Sequence, residues 1–257
     1  MNTRCIFIGG KQLGVNCLKG LLKLNIRPEL VMGNPDDQGE DNTLHDSLLK
    51  QAGLENLKTV PEKKLSDPEI ISSFNQIQPE IIFCIGGIRL IPKEILEIPK
   101  LGCINIHPAL LPKYRGRYST VHAIFNGESH TGVTLHWMDE GIDSGPIIFQ
   151  ETIDIEPNDT AKTLWEKFTV KGESLFKAFL ELWLSGNTIP SKTQDESQAT
   201  YYPKGLPNGG EIDWSWSGEK IRNFIRAMTF EPFPPPQFKI GKKNMVVVDE
   251  KYFKDPK

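Results

Sequence analysis

PEIIFCIGG, at residues 79–87, contains an unbroken apolar run over residues 81–85 that is closed by two glycines. A short apolar run bounded by proline and glycine is typical of a strand that is buried on both faces. A similar run, RCIFI at residues 4–8, stops at Gly9 and Gly10, and a helical apolar pattern follows over residues 13–24. Buried strands that alternate with amphipathic helices predict a mostly parallel sheet with helices on both faces.

The chain continues this alternation as far as Gly186. Further strands are predicted at residues 29–33, 102–107, 131–138 and 146–150, and helices at residues 43–53, 67–77, 92–99, 118–126 and 159–185. One more helix is predicted beyond Gly186, at residues 217–228. We therefore predict a Rossmann-like α/β domain over residues 1–186. The polar, proline-rich remainder, residues 187–257, is predicted to form a small C-terminal subdomain ending in a β-hairpin at residues 238–248.

Composition excludes some classes of protein. The net charge of -3 provides no general attraction for phosphate backbones, so a nucleic acid polymer is not expected as a partner. The apolar runs are far shorter than the ~20 residues of a membrane span, and the N-terminus shows no signal-peptide pattern, which predicts a cytoplasmic protein. Four scattered cysteines lack metal-ligand or disulfide spacing and are expected to be buried thiols.

Two polar side chains, Asn105 and His107, occur two residues apart on a predicted strand. Because side chains alternate across a strand, both would project from the same face. Pro108 favours extended geometry at His107 and would end the strand there. Asp143 lies in a glycine-flanked loop 36 residues after His107.

Acyl transfer to an amine requires a donor for the developing oxyanion and a group that manages the released proton. Asn105 and His107 can donate, and Asp143 can hold the imidazole protonated or accept a proton. Each residue taken alone is more often structural, as a strand-end histidine, a turn-capping asparagine or a turn aspartate. The sequence offers no activated nucleophile, since Ser144 is not in a nucleophile elbow, so direct transfer is the simpler hypothesis.

Two segments carry a family resemblance, NIHPALLPKYRG at residues 105–116 and GVTLHWMDEGIDSGPII at residues 132–148. They closely resemble the 10-formyltetrahydrofolate-dependent formyltransferases, and the resemblance extends over residues 1–186 and more weakly beyond. It implies that 10-formyltetrahydrofolate is the co-substrate, that no metal is needed, and that Asn105, His107 and Asp143 occupy the catalytic positions. In the family, backbone of two segments contacts the folate. The matching residues here are Gly87, Ile88, Arg89, Leu90, Met138, Asp139, Gly141 and Ile142.

Four residues are candidates for acceptor binding. The glycine segment around Lys11 matches neither a dinucleotide fingerprint nor a P-loop, so it is either a tight turn or a place where Lys11 meets a phosphate. Arg115 and Arg117 are either surface charges or guanidinium groups that orient an acceptor phosphate. Phe230 provides either simple packing or a stacking surface for a base.

The prediction of the acceptor rests on the C-terminal segment and on the net charge. The short, non-basic segment 187–257 is most similar to that of formyltransferases acting on nucleotide-linked amino sugars. This resemblance implies an acceptor of the dTDP-4-amino-4,6-dideoxyglucose type, used in lipopolysaccharide O-antigen synthesis, and a homodimer formed through the C-terminal hairpin. Two alternatives stay open, a methionyl-tRNA formyltransferase-like enzyme and a non-catalytic folate or nucleotide-binding module.

Overall fold

The computed structural model describes residues 3–60, 64–88, 90–231, 233–240 and 243–247. The chain forms two compact units. The first unit comprises Met1–His107, Thr134–Gln150 and Thr169–Gln194, and the second unit comprises Pro108–Val133, Glu151–Phe168 and Asp195–Lys257. The functional division predicted at residue 186 stays a prediction.

Strands and helices alternate along most of the chain. Among the described residues the strands are β1 (Cys5–Gly9), β2 (Leu30–Gly33), β3 (Thr59–Val60), β4 (Ile81–Ile85), β5 (Gly102–His107), β6 (Arg115–Gly116), β7 (His130–Trp137), β8 (Ile147–Asp154), β9 (Tyr201–Tyr202), β10 (Gln237–Ile240) and β11 (Lys243–Val246). The helices are α1 (Lys11–Lys23), α2 (Leu48–Leu54), α3 (Pro68–Ile77), α4 (Lys93–Leu96), α5 (Ser119–Phe125), α6 (Ala161–Ser185) and α7 (Gly218–Met228).

Seven strands form one sheet in the order β3-β2-β1-β4-β5-β7-β8. The pairs β1–β2, β1–β4, β2–β3 and β4–β5 are parallel, and β5 and β7 are antiparallel. The predicted Rossmann-like, mostly parallel sheet is therefore confirmed. So is the C-terminal hairpin, in which β10 pairs antiparallel with β11. Part of its predicted turn, residues 241–242, lies outside the described residues.

Both faces of the sheet are covered, as its unbroken apolar strands require. On one face, Phe83 of β4 makes edge contacts with Phe176 and Trp183 of α6, with ring centroids 5.3 and 5.7 Å apart. On the other face, neighbouring strand residues such as Ile82 share a buried cluster with Phe74 of α3. Successive residues of one strand thus enter opposite cores, which explains why the strand carries no polar position.

Glycines allow β1 and β4 to approach closely at their carboxyl ends. Gly9 has a φ of 147°, and a Cβ there would lie 1.9 Å from the carbonyl oxygen of Ile85. Gly86 has a φ of 65°, and a Cβ there would lie 2.1 Å from the carbonyl oxygen of Gly10. Any other residue at either position would force these two turns apart. The glycines that follow the two apolar runs therefore allow the close packing at this edge of the sheet.

Two of the differences from the predicted elements have a clear local cause. The helix expected from residue 43 begins at Leu48, because the Ser47 side chain accepts from the Lys50 amide and caps the helix there. Leu24, expected on the apolar face of the first helix, is instead the residue that ends α1 and is 47% exposed. Local hydrogen bonding at each helix end overrides the apolar pattern in both places.

The four cysteines are buried free thiols, as expected. Burial raises the pKa of the Cys5 thiol to about 12, which keeps it in the unreactive protonated form. Within the part of the chain that is described, no helix combines the length and the apolar character needed to cross a membrane.

Candidate active site

The pairing of β5 with β7 builds the polar face of the site. In this antiparallel register Asn105 lies opposite His136, and His107 lies opposite Thr134. Directly opposed residues project to the same side of a sheet, and so do residues two apart along one strand. Asn105, His107 and His136 therefore share one face within the first unit.

The loop between β7 and β8 brings Asp143 to this face. Asp143 Oδ2 lies 3.3 Å from His107 Nδ1, and Asp143 Oδ1 lies 3.4 Å from Asn105 Nδ2. The loop folds back around Asp139, whose Oδ1 accepts from the Gly141 amide at 3.0 Å and from the Ser144 hydroxyl at 2.7 Å. The structure thus brings together the amide, imidazole and carboxylate that the sequence singled out, at hydrogen-bonding distances.

His136 is a fourth member of this cluster, and the sequence analysis did not select it. Its Nδ1 lies 2.7 Å from the Trp137 carbonyl oxygen, which can only accept, so Nδ1 carries the proton. Burial lowers the pKa of His136 from 6.5 to about 4, and the ring is therefore neutral near pH 7. Its Nε2 consequently accepts a hydrogen bond from Asn105 Nδ2, 3.2 Å away. This contact fixes the orientation of the Asn105 amide.

The neutral His136 predicts a specific pH dependence of stability. In the unfolded chain the ring titrates near 6.5, and in the folded chain near 4, so between these values only the unfolded state gains a proton. The contribution of the neutral His136 ring to the free energy of unfolding is complete above pH 6.5. It is lost as the pH falls toward 4, by about 3 kcal/mol in total. Urea unfolding at about pH 7.5 and about pH 4.5 should show this loss in the wild type and a smaller loss in His136→Gln. Equal losses in the two proteins would contradict the assignment of a neutral buried ring.

Asn34 organises the segment that follows β4. Its Nδ2 donates to the Gly86 carbonyl at 2.9 Å, and its Oδ1 accepts from the Ile88 amide at 3.2 Å. The side chain is buried, and the sequence analysis did not select it. A signal was available in its position directly after the β2 strand, at the carboxyl edge where parallel strands place their ligand-contacting loops.

The two segments predicted to contact folate both lie in the first unit. After β4, Gly87 and Ile88 are exposed and Leu90 is 74% exposed, while Arg89 lies outside the described residues. Exposed apolar side chains suit contact with a flat ring system, such as a pterin. This segment therefore fits the co-substrate chemically, and the contacts themselves stay a prediction.

The second predicted folate segment follows β7. The Met138 amide donates to the Cys103 carbonyl at 2.8 Å, which fixes the start of the loop. Asp139 and Gly141 are exposed and form the hydrogen-bonded turn described above, and Ile142 is 38% exposed. The same loop thus carries the predicted folate contacts and Asp143.

Lys11, a candidate acceptor contact, is paired within the first unit. Lys11 Nζ lies 2.9 Å from Asp36 Oδ2. Burial alone would raise the pKa of Asp36, but the hydrogen bond and charge of Lys11 outweigh it and lower that pKa. A phosphate at Lys11 would therefore compete with an existing ion pair.

The other three candidate acceptor contacts belong to the second unit. The buried Arg115 guanidinium donates to both carboxylate oxygens of Glu196, at 2.6 and 2.9 Å, and this bond lowers the Glu196 pKa. Arg117 is exposed, and Phe230 packs against Trp165 with centroids 6.2 Å apart. Roles of these residues in acceptor binding stay predictions, and the charge of Arg115 is already matched by Glu196.

A Rossmann-like sheet that gathers an amide, an imidazole and a carboxylate in one place is the framework of a group-transfer enzyme. The sequence model described as Formyl transferase matches residues 15–180. The chain belongs to the formyl transferase family and is an enzyme. The predicted family is thus confirmed, together with its formyltetrahydrofolate co-substrate.

Curated relatives extend this similarity over most of the chain. The methionyl-tRNA formyltransferase of Thermodesulfovibrio yellowstonii is 37% identical over 229 residues, covering 88% of this chain and 74% of the relative. That of Clostridioides difficile is 35% identical over 261 residues, covering 98% of this chain and 83% of the relative.

Solved structures are also similar. A sugar 3N-formyl transferase solved with dTDP and 5-N-formyl-THF superposes with a TM-score of 0.75 at 29% identity, covering 91% of this chain and 83% of that one. An N-formyltransferase from Helicobacter canadensis, in complex with folinic acid and dTDP-3-aminofucose, gives a TM-score of 0.74 at 29% identity, covering 94% and 85%.

The predicted nucleotide-sugar acceptor is wrong. Relatives at 35 to 37% identity over most of the chain are methionyl-tRNA formyltransferases, which favours the alternative of that class. The sugar assignment rested on the net charge and the short tail, and neither quantity describes the surface that meets the acceptor. The net charge, being a sum over the whole chain, likewise does not exclude a nucleic-acid acceptor.

Proposed function

We propose that this enzyme transfers the formyl group of 10-formyltetrahydrofolate to the amine of methionyl-tRNA. The observation that carries the proposal is the contact of Asp143 with both Asn105 and His107 in a formyl transferase chain. The curated relatives that match most of the chain support the acceptor. Residues 1–186 would perform the transfer, and residues 187–257 would contribute acceptor contacts.

The cluster can perform each step of a direct transfer. Asn105 Nδ2 keeps one hydrogen on His136 Nε2 and exchanges its longer contact, 3.4 Å to Asp143 Oδ1, for the formyl oxygen. Together with His107 it donates to that oxygen as negative charge develops during attack by the amine nitrogen. A carbon–nitrogen bond to the amine forms, and the bond to the folate nitrogen breaks. Asp143 orients the His107 ring and receives the proton lost by the amine. Asp143 then passes this proton to the leaving folate nitrogen, which balances the reaction.

Exposed cations in the second unit suit a tRNA acceptor. The Arg117 amide donates to the Tyr202 carbonyl at 2.8 Å, which extends the parallel pairing of β6 with β9. Arg117 and Lys204 are both exposed just beyond these paired strands, and Tyr201 is exposed on β9. Parallel strands end at the same edge, so the two cations are suited to meet a phosphate backbone.

Transfer to defined acceptors tests the proposal. The purified enzyme is incubated with 10-formyltetrahydrofolate and initiator methionyl-tRNA, and the released amino acid is identified by mass spectrometry. Formyl-methionine is the expected product, with free methionine and elongator methionyl-tRNA as comparison acceptors. Formylation of free methionine alone, or no formyl-methionine while another amine is formylated, would overturn the assigned acceptor.

Two further predictions are retained from the sequence. Homodimerisation through β10 and β11 is favoured by the exposed side chains of Ile240, Met245 and Val246 on this hairpin. A cytoplasmic location agrees with the folate and aminoacyl-tRNA substrates of the proposed reaction.

A further inference from the structure

A buried glutamine, Gln194, binds the backbone of the Asp143 loop. Gln194 Nε2 donates to the Asp143 carbonyl at 2.8 Å and to the Gly145 carbonyl at 2.7 Å. Only 5% of the residue is exposed. Its single amide group therefore provides donors to two carbonyl oxygens on either side of Ser144.

Gln194 is itself held in place by the neighbouring backbone. Lys192 and Ile147 form an antiparallel bridge in which each amide donates to the other's carbonyl, at 2.9 and 2.8 Å. This bridge fixes the chain two residues before Gln194 to the first residue of β8. The glutamine consequently reaches the loop from a rigid support.

The backbone conformation of Asp143 makes the hydrogen bond from Gln194 to its carbonyl important. Asp143 has a φ of 53°, in the left-handed region that non-glycine residues seldom adopt. The orientation of its peptide unit decides where the carboxylate points, and the carboxylate contacts His107 at 3.3 Å. Glycines on both sides, Gly141 and Gly145, leave the loop other conformations unless something holds it.

We propose that Gln194 is a positioning residue, which clamps the Asp143 carbonyl and thereby holds the Asp143 carboxylate against His107. The inference rests on the proposed function, because its effect is exerted on formyl transfer through Asp143. Gln194 lies beyond the residues 15–180 that the family model matches.

Removal of the clamp should slow turnover more than it weakens substrate binding. Gln194→Leu preserves the approximate volume of the side chain and removes both donors. We expect kcat to fall by roughly 10-fold to 100-fold, since small misplacement of a reacting group has effects of this size. KM for the formyl donor should change less than about threefold, because Met138 and Gly141 of the predicted folate segment keep their own hydrogen bonds to Cys103 and Asp139. Gln198→Leu, an exposed glutamine four residues later, is the matched control and should keep wild-type kcat.

A double variant separates positioning from general destabilisation. If Gln194 acts through Asp143, adding Gln194→Leu to Asp143→Asn should lower kcat no further. Additive losses, or unchanged kcat in the single variant, would overturn the proposal. Should Gln194→Leu fail to fold by circular dichroism, Gln194→Asn, with an amide too short to reach both carbonyls, takes its place with the same expectations.

A measurement without acceptor distinguishes this inference from the proposed function. The ¹⁵N chemical shifts of the His107 ring nitrogens report its hydrogen bond to Asp143 in the free enzyme. These shifts should change in Gln194→Leu and stay constant in Gln198→Leu. If the wild type is inactive on methionyl-tRNA but the two variants show these shifts as expected, the assigned acceptor is wrong and the role of Gln194 stands. If the wild type formylates methionyl-tRNA but the His107 shifts are unchanged in Gln194→Leu, the positioning role of Gln194 is wrong and the assigned acceptor stands.

Discussion

Asn105→Ala should slow formyl transfer by roughly 100-fold to 1000-fold, the loss typical of one oxyanion donor. The amide lies 3.2 Å from the His136 Nε2 acceptor and 3.4 Å from Asp143 Oδ1, so its orientation is set before substrate arrives. Alanine removes the donor and leaves the other members of the cluster in place. Folate affinity, measured by fluorescence titration, should change little because the predicted folate contacts lie on separate loops.

A surface asparagine provides the control for this experiment. Asn75 is exposed on α3 and donates to the Ile71 carbonyl within the same helix. Asn75→Ala should keep wild-type turnover in the same assay. Near-normal turnover of Asn105→Ala, with folding confirmed by thermal unfolding, would show that Asn105 is not the oxyanion donor.

Asp143→Asn should cause the largest loss, roughly 1000-fold to 10,000-fold in kcat. The substitution keeps the shape of the side chain but removes its charge and its capacity to accept a proton. His107, whose Nδ1 lies 3.3 Å from Asp143 Oδ2, would then lose the carboxylate that orients its ring. Single-turnover kinetics with saturating folate would isolate this effect from product release.

Asp154→Asn is the matched control, since Asp154 is an exposed carboxylate at the end of β8. Its turnover should equal that of the wild type. A loss smaller than about tenfold in Asp143→Asn would assign proton acceptance to another group or to water. The proposed roles of Asn105 and Asp143 thus depend on separate measurements.

Much of the fold follows from local patterns in the sequence. The apolar runs that became β1 and β4 have no polar position, which only a sheet covered on both faces accommodates. Period-two alternation likewise predicts that Asn105 and His107 share a face, because it depends on strand geometry alone. Helix ends were predicted less well, since capping by Ser47 depends on individual hydrogen bonds.

Periodicity and long contiguous motifs were enough to predict the sheet and the family and to single out Asn105, His107 and Asp143 as candidate site residues. The tertiary structure added that His136 is neutral and orients Asn105, since strand register and burial set its pKa. It also decided that Gln194, fifty-one residues after Asp143, holds the Asp143 loop. Contacts between residues so far apart in the chain leave no periodic signal, and they exist only once the strands and loops have packed.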